Sequence, residues 1–63
     1  ISPLAYIHPE AIIDESCEIG PFCYIDKNVV IGKNNHLMNS VTVLSGSRIG
    51  DGNTIFLFDY ATL

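Results

Sequence analysis

Two histidines, His8 and His36, and two cysteines, Cys17 and Cys23, are the side chains of this 63-residue chain best suited to acid–base, nucleophilic or metal chemistry. An imidazole that removes a proton needs a positioned substrate hydroxyl beside it. His8 stands in an Ile-His-Pro-Glu step and reads as a corner or cap residue. His36 immediately precedes Leu37 and is expected to point outward, as a surface or subunit-contact residue. Cys17 and Cys23 are too few for a disulfide framework and lack a second pair for a zinc site, so they read as small packed hydrophobes. Asp14, Glu15, Asp26 and Asp51 read as solvated corners rather than a paired carboxylate site, and Gly20, Gly32 and Gly50 as corner glycines rather than a phosphate-cradling loop. No catalytic, cofactor-binding or metal-binding residue is assigned, and no cofactor is expected.

The elements that must position these side chains follow from one spacing. Ile7, Ile13, Ile19, Ile25, Ile31, Leu37, Val43, Ile49 and Ile55 recur every sixth residue without a miss. Neither a helix nor a plain strand has that period. Fixed-period self-similarity of this length points to a β-helix. The residue after the anchor is Asp or Gly at Asp14, Gly20, Asp26, Gly32 and Gly50, and three places after their anchors come Asn28, Asn34, Gly46 and Gly52. Such residues suit turns, Gly because it enters positive φ freely and Asp because it bonds its own backbone. Each hexad therefore reads as a short strand and a tight corner.

The fifth hexad position carries Ala11, Cys17, Cys23, Val29, Asn35, Val41, Ser47 and Asn53, two residues before the next anchor and so on the same strand face. A narrow interior with one large and one small residue per strand accepts that pair. Three faces per coil stack Ile7 with Ile25 and Val43, Ile13 with Ile31 and Ile49, and Ile19 with Leu37 and Ile55. Asn35 falls beneath Asn53, where stacked amides can form an axial ladder. The expectation is an all-β chain, a parallel β-helix of about three triangular coils. Residues 1–6, punctuated by Pro3, are expected to cap it, residues 7–55 to form the repeat, and residues 56–63 to be an irregular tail.

Composition excludes some partners. Seven acidic against three basic residues give a formal charge of −4, which argues against nucleic acid, whose phosphates need clustered Lys and Arg. No apolar run is long enough to span a bilayer, so no integral membrane segment is expected. No secretory signal pattern is visible.

The hexad form aliphatic–Gly–x–x–small–x, the opening PLAYIHPEAII and the run IGPFCYIDKNVVIGKNNHLMNSVTVLSGSRIGDGNTIF resemble the hexapeptide-repeat acyltransferases, over Pro3 to about Phe56. The resemblance implies a left-handed parallel β-helix and a cytoplasmic homotrimer. It also implies transfer of a hydroxyacyl chain from acyl carrier protein to the 3-hydroxyl of UDP-N-acetylglucosamine in lipid A synthesis, with a histidine as general base and a backbone N–H on the oxyanion. The family's catalytic Ala-His-Asp step does not occur here, and neither His8 nor His36 matches it. Acyl carrier protein and the sugar nucleotide are thus expected partners of a full-length parent only, and this chain is expected to be inactive alone.

The tail Phe56-Leu57-Phe58-Asp59 puts bulky residues where a corner is due and a charge at an inward position. With Ile1 in place of Met, this predicts a truncated product, the other reading being a distinct C-terminal cap. An unpaired strand edge beside aromatics predicts self-association. Rival readings are a sister hexapeptide-repeat acyltransferase, a γ-class carbonic anhydrase-like protein and a non-catalytic β-helical oligomerisation module. The anhydrase would need a histidine ligand set that two unspaced histidines do not supply. Ice binding is disfavoured because no face carries a regular Thr array.

Overall fold

A computed structural model describes residues 1–56. The tail beyond Phe56, with Asp59, lies outside the described residues. The chain forms β1 (Tyr6–Ile7), β2 (Ile12–Ile13), β3 (Glu18–Ile19), β4 (Tyr24–Ile25), β5 (Val30–Ile31), β6 (His36–Leu37), β7 (Thr42–Val43), β8 (Arg48–Ile49) and β9 (Thr54–Ile55). Every aliphatic anchor is the second residue of its strand. Strands three apart pair in parallel, giving sheets β1-β4-β7, β2-β5-β8 and β3-β6-β9. The registers Ile7↔Ile25, Ile13↔Ile31 and Ile19↔Leu37, continued by Val43, Ile49 and Ile55, are the three columns expected from the period. This is a parallel β-helix of three coils.

The two-residue strands β1 to β6 hold because each is joined upward at both flanks. Tyr6 N–H donates to Cys23 O and His8 N–H to Ile25 O, and the same two steps repeat as Tyr24 to Val41 and Asp26 to Val43. The first and fifth hexad positions fill the interior. Ile19, Ile25, Ile31, Leu37 and Val43 are buried with Cys17, Cys23, Val29, Asn35 and Val41, while Ile7, Ile13, Ile49 and Ile55 at the two ends are only partly covered. Complete burial of an Ile or Leu contributes about 1.5–3 kcal/mol each, so the middle coil holds the stack together.

Corners close differently in the first coil and in those above it. Phe22, Asn28, Asn34, Ser40, Gly46 and Gly52 have positive φ, at six-residue steps. Asn and Gly tolerate that region at little cost. Phe22 and Ser40 occupy it because the stack requires it, Phe22 N–H reaching Leu4 O and Ser40 N–H reaching Pro21 O in the coil beneath. Gly46 and Gly52 reach Lys27 O and Lys33 O in the same way. No described coil lies beneath residues 1–18. There the corner amides turn to side chains two residues back: Leu4 to Ser2 Oγ, Glu10 to His8 Nδ1 and Ser16 to Asp14 Oδ2.

The glycines after the anchors have a different cause from the one expected. Positive φ does not occur at Gly20, Gly32 or Gly50. A Cβ on Gly20 would lie 2.9 Å from the backbone of Met38, and one on Gly32 would meet Asp51 Oδ1 and the Gly50 backbone. Gly20 and Gly32 let the next coil approach, whereas a Cβ on Gly50 would meet nothing within 4 Å. Backbone freedom is not the reason for them.

Candidate functional site

The side chains capable of chemistry are dispersed over the solenoid. His8 sits at a corner, where its Nδ1 accepts the Glu10 amide 3.0 Å away. His36 projects outward from β6, paired across the sheet with Glu18, its Nε2 3.6 Å from the carboxylate. Both histidines thus have structural partners, and they lie on different parts of the coil. Among the described residues no group of three His, Cys, Asp or Glu side chains is arranged to hold a metal ion.

The thiols do more than pack. Both are buried and free, and Cys17 Sγ donates to Gly32 O at 2.8 Å while Cys23 Sγ donates to Met38 O at 2.9 Å. Asn35 repeats that geometry, its Nδ2 reaching Gly50 O at 2.6 Å. In each case a fifth-position donor ties itself to the corner carbonyl fifteen residues ahead. The axial amide ladder takes a different form from the one expected. Asn35 Oδ1 accepts the backbone N–H of Asn53, and the Asn53 amide turns to Asp51 O. A buried amide in this spacing satisfies main-chain groups first, because their unpaired burial costs more.

Asp14, Glu15 and Asp51 gather along one corner column. Asp14 Oδ2 accepts both the amide and the hydroxyl of Ser16, whose Oγ accepts Asn34 N–H from the next coil. Above it, Asp51 Oδ1 accepts Lys33 N–H at 2.7 Å. The Ser16 hydroxyl and then its amide hold the Asp14 carboxyl below its ordinary range; desolvation opposes them, and the Lys33 charge adds a lesser lowering. A shallow open groove runs beside this column between Ile12, Ile13, Glu15 and Gly32. Asp26 serves its own corner, accepting Lys27 N–H.

Apolar exposure concentrates elsewhere. Leu4 and Phe22, at successive levels of one corner, are 61% and 66% exposed. Two residues further along each coil, Tyr6 and Tyr24 stack with ring centroids 5.0 Å apart and remain half-exposed. Sequence reasoning did not single out this corner. The signal was there in the aromatic residues falling at outward hexad positions, but an anchor-based reading looks inward.

These features define a three-coil parallel β-helix with a largely aliphatic interior, bonded corners and no assembled catalytic cluster among the described residues. Comparison then gives the relationship, and the chain belongs to the family described as the GMPPB C-terminal domain, which matches residues 1–56. It is also similar to proteins named acyl-[acyl-carrier-protein]–UDP-N-acetylglucosamine O-acyltransferase. That of Psychrobacter sp. is 41% identical over 92% of this chain, that of Brucella anthropi 35% over 81%, and that of Thermodesulfovibrio yellowstonii 43% over 92%. The resemblance read from the hexads is therefore borne out. The chain spans only 20–22% of the length of these relatives. No helix among the described residues is long and apolar enough to cross a membrane.

Proposed function

We propose that this chain is a β-helical segment of an acyltransferase that moves a hydroxyacyl chain from acyl carrier protein to UDP-N-acetylglucosamine in lipid A synthesis. The observation that carries the reading is the shared name of three relatives at 35–43% identity to this chain. In this reading the parent acts in the cytoplasm as a homotrimer, and residues 1–56 supply framework rather than chemistry. Inactivity of the isolated chain is supported by the engagement of its histidines, since the His8 Nδ1 lone pair is taken by an amide and His36 faces Glu18. A proton acceptor for a sugar hydroxyl needs a free nitrogen in a cleft that orients that hydroxyl. Residues 1–6 act as the cap of the stack, a role supported by the side-chain closure of the first corner.

The test is a chimera in which residues 1–56 replace the matching segment of the Psychrobacter relative. Acyl transfer to UDP-N-acetylglucosamine is expected to survive in the chimera and to be absent from the 63-residue chain alone. A folded chimera without transfer would overturn the assignment, and transfer by the isolated chain would overturn the framework role.

A second reading, a non-catalytic oligomerisation module, is favoured by the exposed corner of Leu4, Tyr6, Phe22 and Tyr24 and by the description of the matching family as a C-terminal domain. A self-associating chain whose chimera lacks transfer would select it.

A further inference from the structure

Asp51–Gly52 is the one step in the sequence where an aspartate or asparagine precedes a glycine. The third coil requires glycine there, because Gly52 takes a positive φ of 74° at its corner. The same missing Cβ leaves the Gly52 nitrogen unhindered beside the Asp51 carboxyl. Asp14 and Asp26 precede Glu15 and Lys27, whose side chains shield the following nitrogen.

Hydrogen bonds hold this dipeptide on several sides. Asp51 Oδ1 accepts Lys33 N–H at 2.7 Å, Gly52 N–H donates to Lys33 O at 2.9 Å, and Asp51 O accepts the Asn53 side-chain amide at 3.4 Å. Lys33, one coil beneath, thus restrains both the carboxyl and the nitrogen that must meet for the side chain to close on the main chain. Gly32 makes room for this arrangement, since a Cβ on it would collide with Asp51 Oδ1. Two hexads earlier the position of Lys33 is taken by Pro21, which has no N–H to give, although its carbonyl still accepts Ser40 N–H.

We infer that Asp51–Gly52 is a latent self-modification site, an aspartate-to-isoaspartate isomerisation held in check by the main chain of Lys33. With the carboxyl neutral, the Gly52 nitrogen attacks Asp51 Cγ. A C–N bond forms, the nitrogen's proton and the carboxyl hydroxyl leave as water, and a succinimide ring remains. Water then adds at the main-chain carbonyl of Asp51 and breaks its bond to the Gly52 nitrogen. The hydroxyl stays on that carbonyl carbon, the proton returns to nitrogen, and the chain now runs through Cβ and Cγ. The product carries one extra main-chain atom in a corner built on a six-residue spacing, and the carboxylate is displaced from Lys33 N–H. Closure proceeds only when the third coil lifts from the second, so isoaspartate at this corner records such local openings. This inference rests on corner geometry and stands apart from the acyl-transfer reading.

For the test, the full 63-residue chain is incubated folded and in guanidinium. The solution is kept at about pH 5, where ordinary carboxyls are still partly protonated. The tryptic peptide beginning at Ile49 is then separated into its isomers. Isoaspartate at position 51 is expected to form at least about tenfold more slowly in the folded chain, as reaction through local opening requires. Lys33→Pro removes the N–H on Asp51 Oδ1 and keeps the carbonyl, and Pro21 shows that this hexad position accepts proline. It should retain the circular dichroism and isomerise severalfold faster than wild type, whereas Lys33→Ala, which keeps the N–H, should hold the wild-type rate. Gly32→Ala, which displaces the carboxylate, is a second variant with the expectation of Lys33→Pro. An unfolded chain that forms no isoaspartate at Asp51 overturns the site. Equal rates for folded and unfolded wild type, or a folded Lys33→Pro chain at the wild-type rate, overturn the restraint by Lys33.

Discussion

Phe22 is the residue at which local preference and the stack disagree most. Its φ of 63° lies in a region that bulky side chains avoid at roughly 1–2 kcal/mol, yet its amide must reach Leu4 O. Replacing Phe22 with Asn should therefore raise the denaturation midpoint, by a stability gain of about 1 kcal/mol. An unchanged or lowered midpoint in urea would mean that the exposed ring is held by contacts that offset the strain. Asp14 gives a pH dependence. Its folded pKa is depressed by Ser16 and Lys33, so its contribution is present above the unfolded carboxylate value and is lost as pH falls through the folded one. The stability difference between wild type and Asp14→Asn should accordingly shrink on acidification from neutrality to about pH 2. A difference that stays constant would show that Asp14 does not contribute through its charge.

Corners, more than strands, distinguish one level of this solenoid from another. Among the described residues all strands are two residues long and pair in parallel in the same register, but the fifth-position ties from Cys17, Cys23 and Asn35 reach across corners to carbonyls that the ladders leave over. From a fully buried site Asn35 makes one such bond, to Gly50 O, and also accepts Asn53 N–H. Asn35→Ala should lower stability by about 1–3 kcal/mol, and Asn35→Asp by more, because a carboxylate cannot donate to Gly50 O. Equal midpoints for Asn35→Ala and wild type in chemical denaturation would show that solvent satisfies both groups. These ties were illegible in the chain because a donor and its carbonyl lie fifteen residues apart and a cysteine reads first as apolar. The anchors were legible, since few architectures repeat every six residues. Positive φ was legible at Asn28, Asn34, Gly46 and Gly52, where the residue type announces it. At Phe22 and Ser40 it was not, because there the coil beneath sets the conformation.

For the molecule as a whole, the interior is complete only in its middle level, and the surface divides into three faces of different character. The face built on β1, β4 and β7 carries Tyr6 and Tyr24, that on β2, β5 and β8 carries Ile12, Val30 and Arg48, and that on β3, β6 and β9 carries Glu18, His36 and Thr54. The fold could be read from the inward positions because burial constrains them. A candidate site could not, because outward positions answer to partners that the hexad pattern does not encode.

The register of eighteen residues between paired strands has a further consequence, for how such a chain can change its length. Loss or duplication of one whole coil returns every later side chain to its former column and face, so the rest of the molecule is left in phase. Loss of a single hexad keeps each anchor pointing inward but turns everything beyond it by one third of a revolution. Arginine would then follow tyrosine up one face, and histidine would follow isoleucine up another. Loss of one residue brings outward side chains inside. The chain thus has two nested reading frames, one of six that protects its interior and one of eighteen that protects its exterior, and only the second preserves a surface that a partner could recognise.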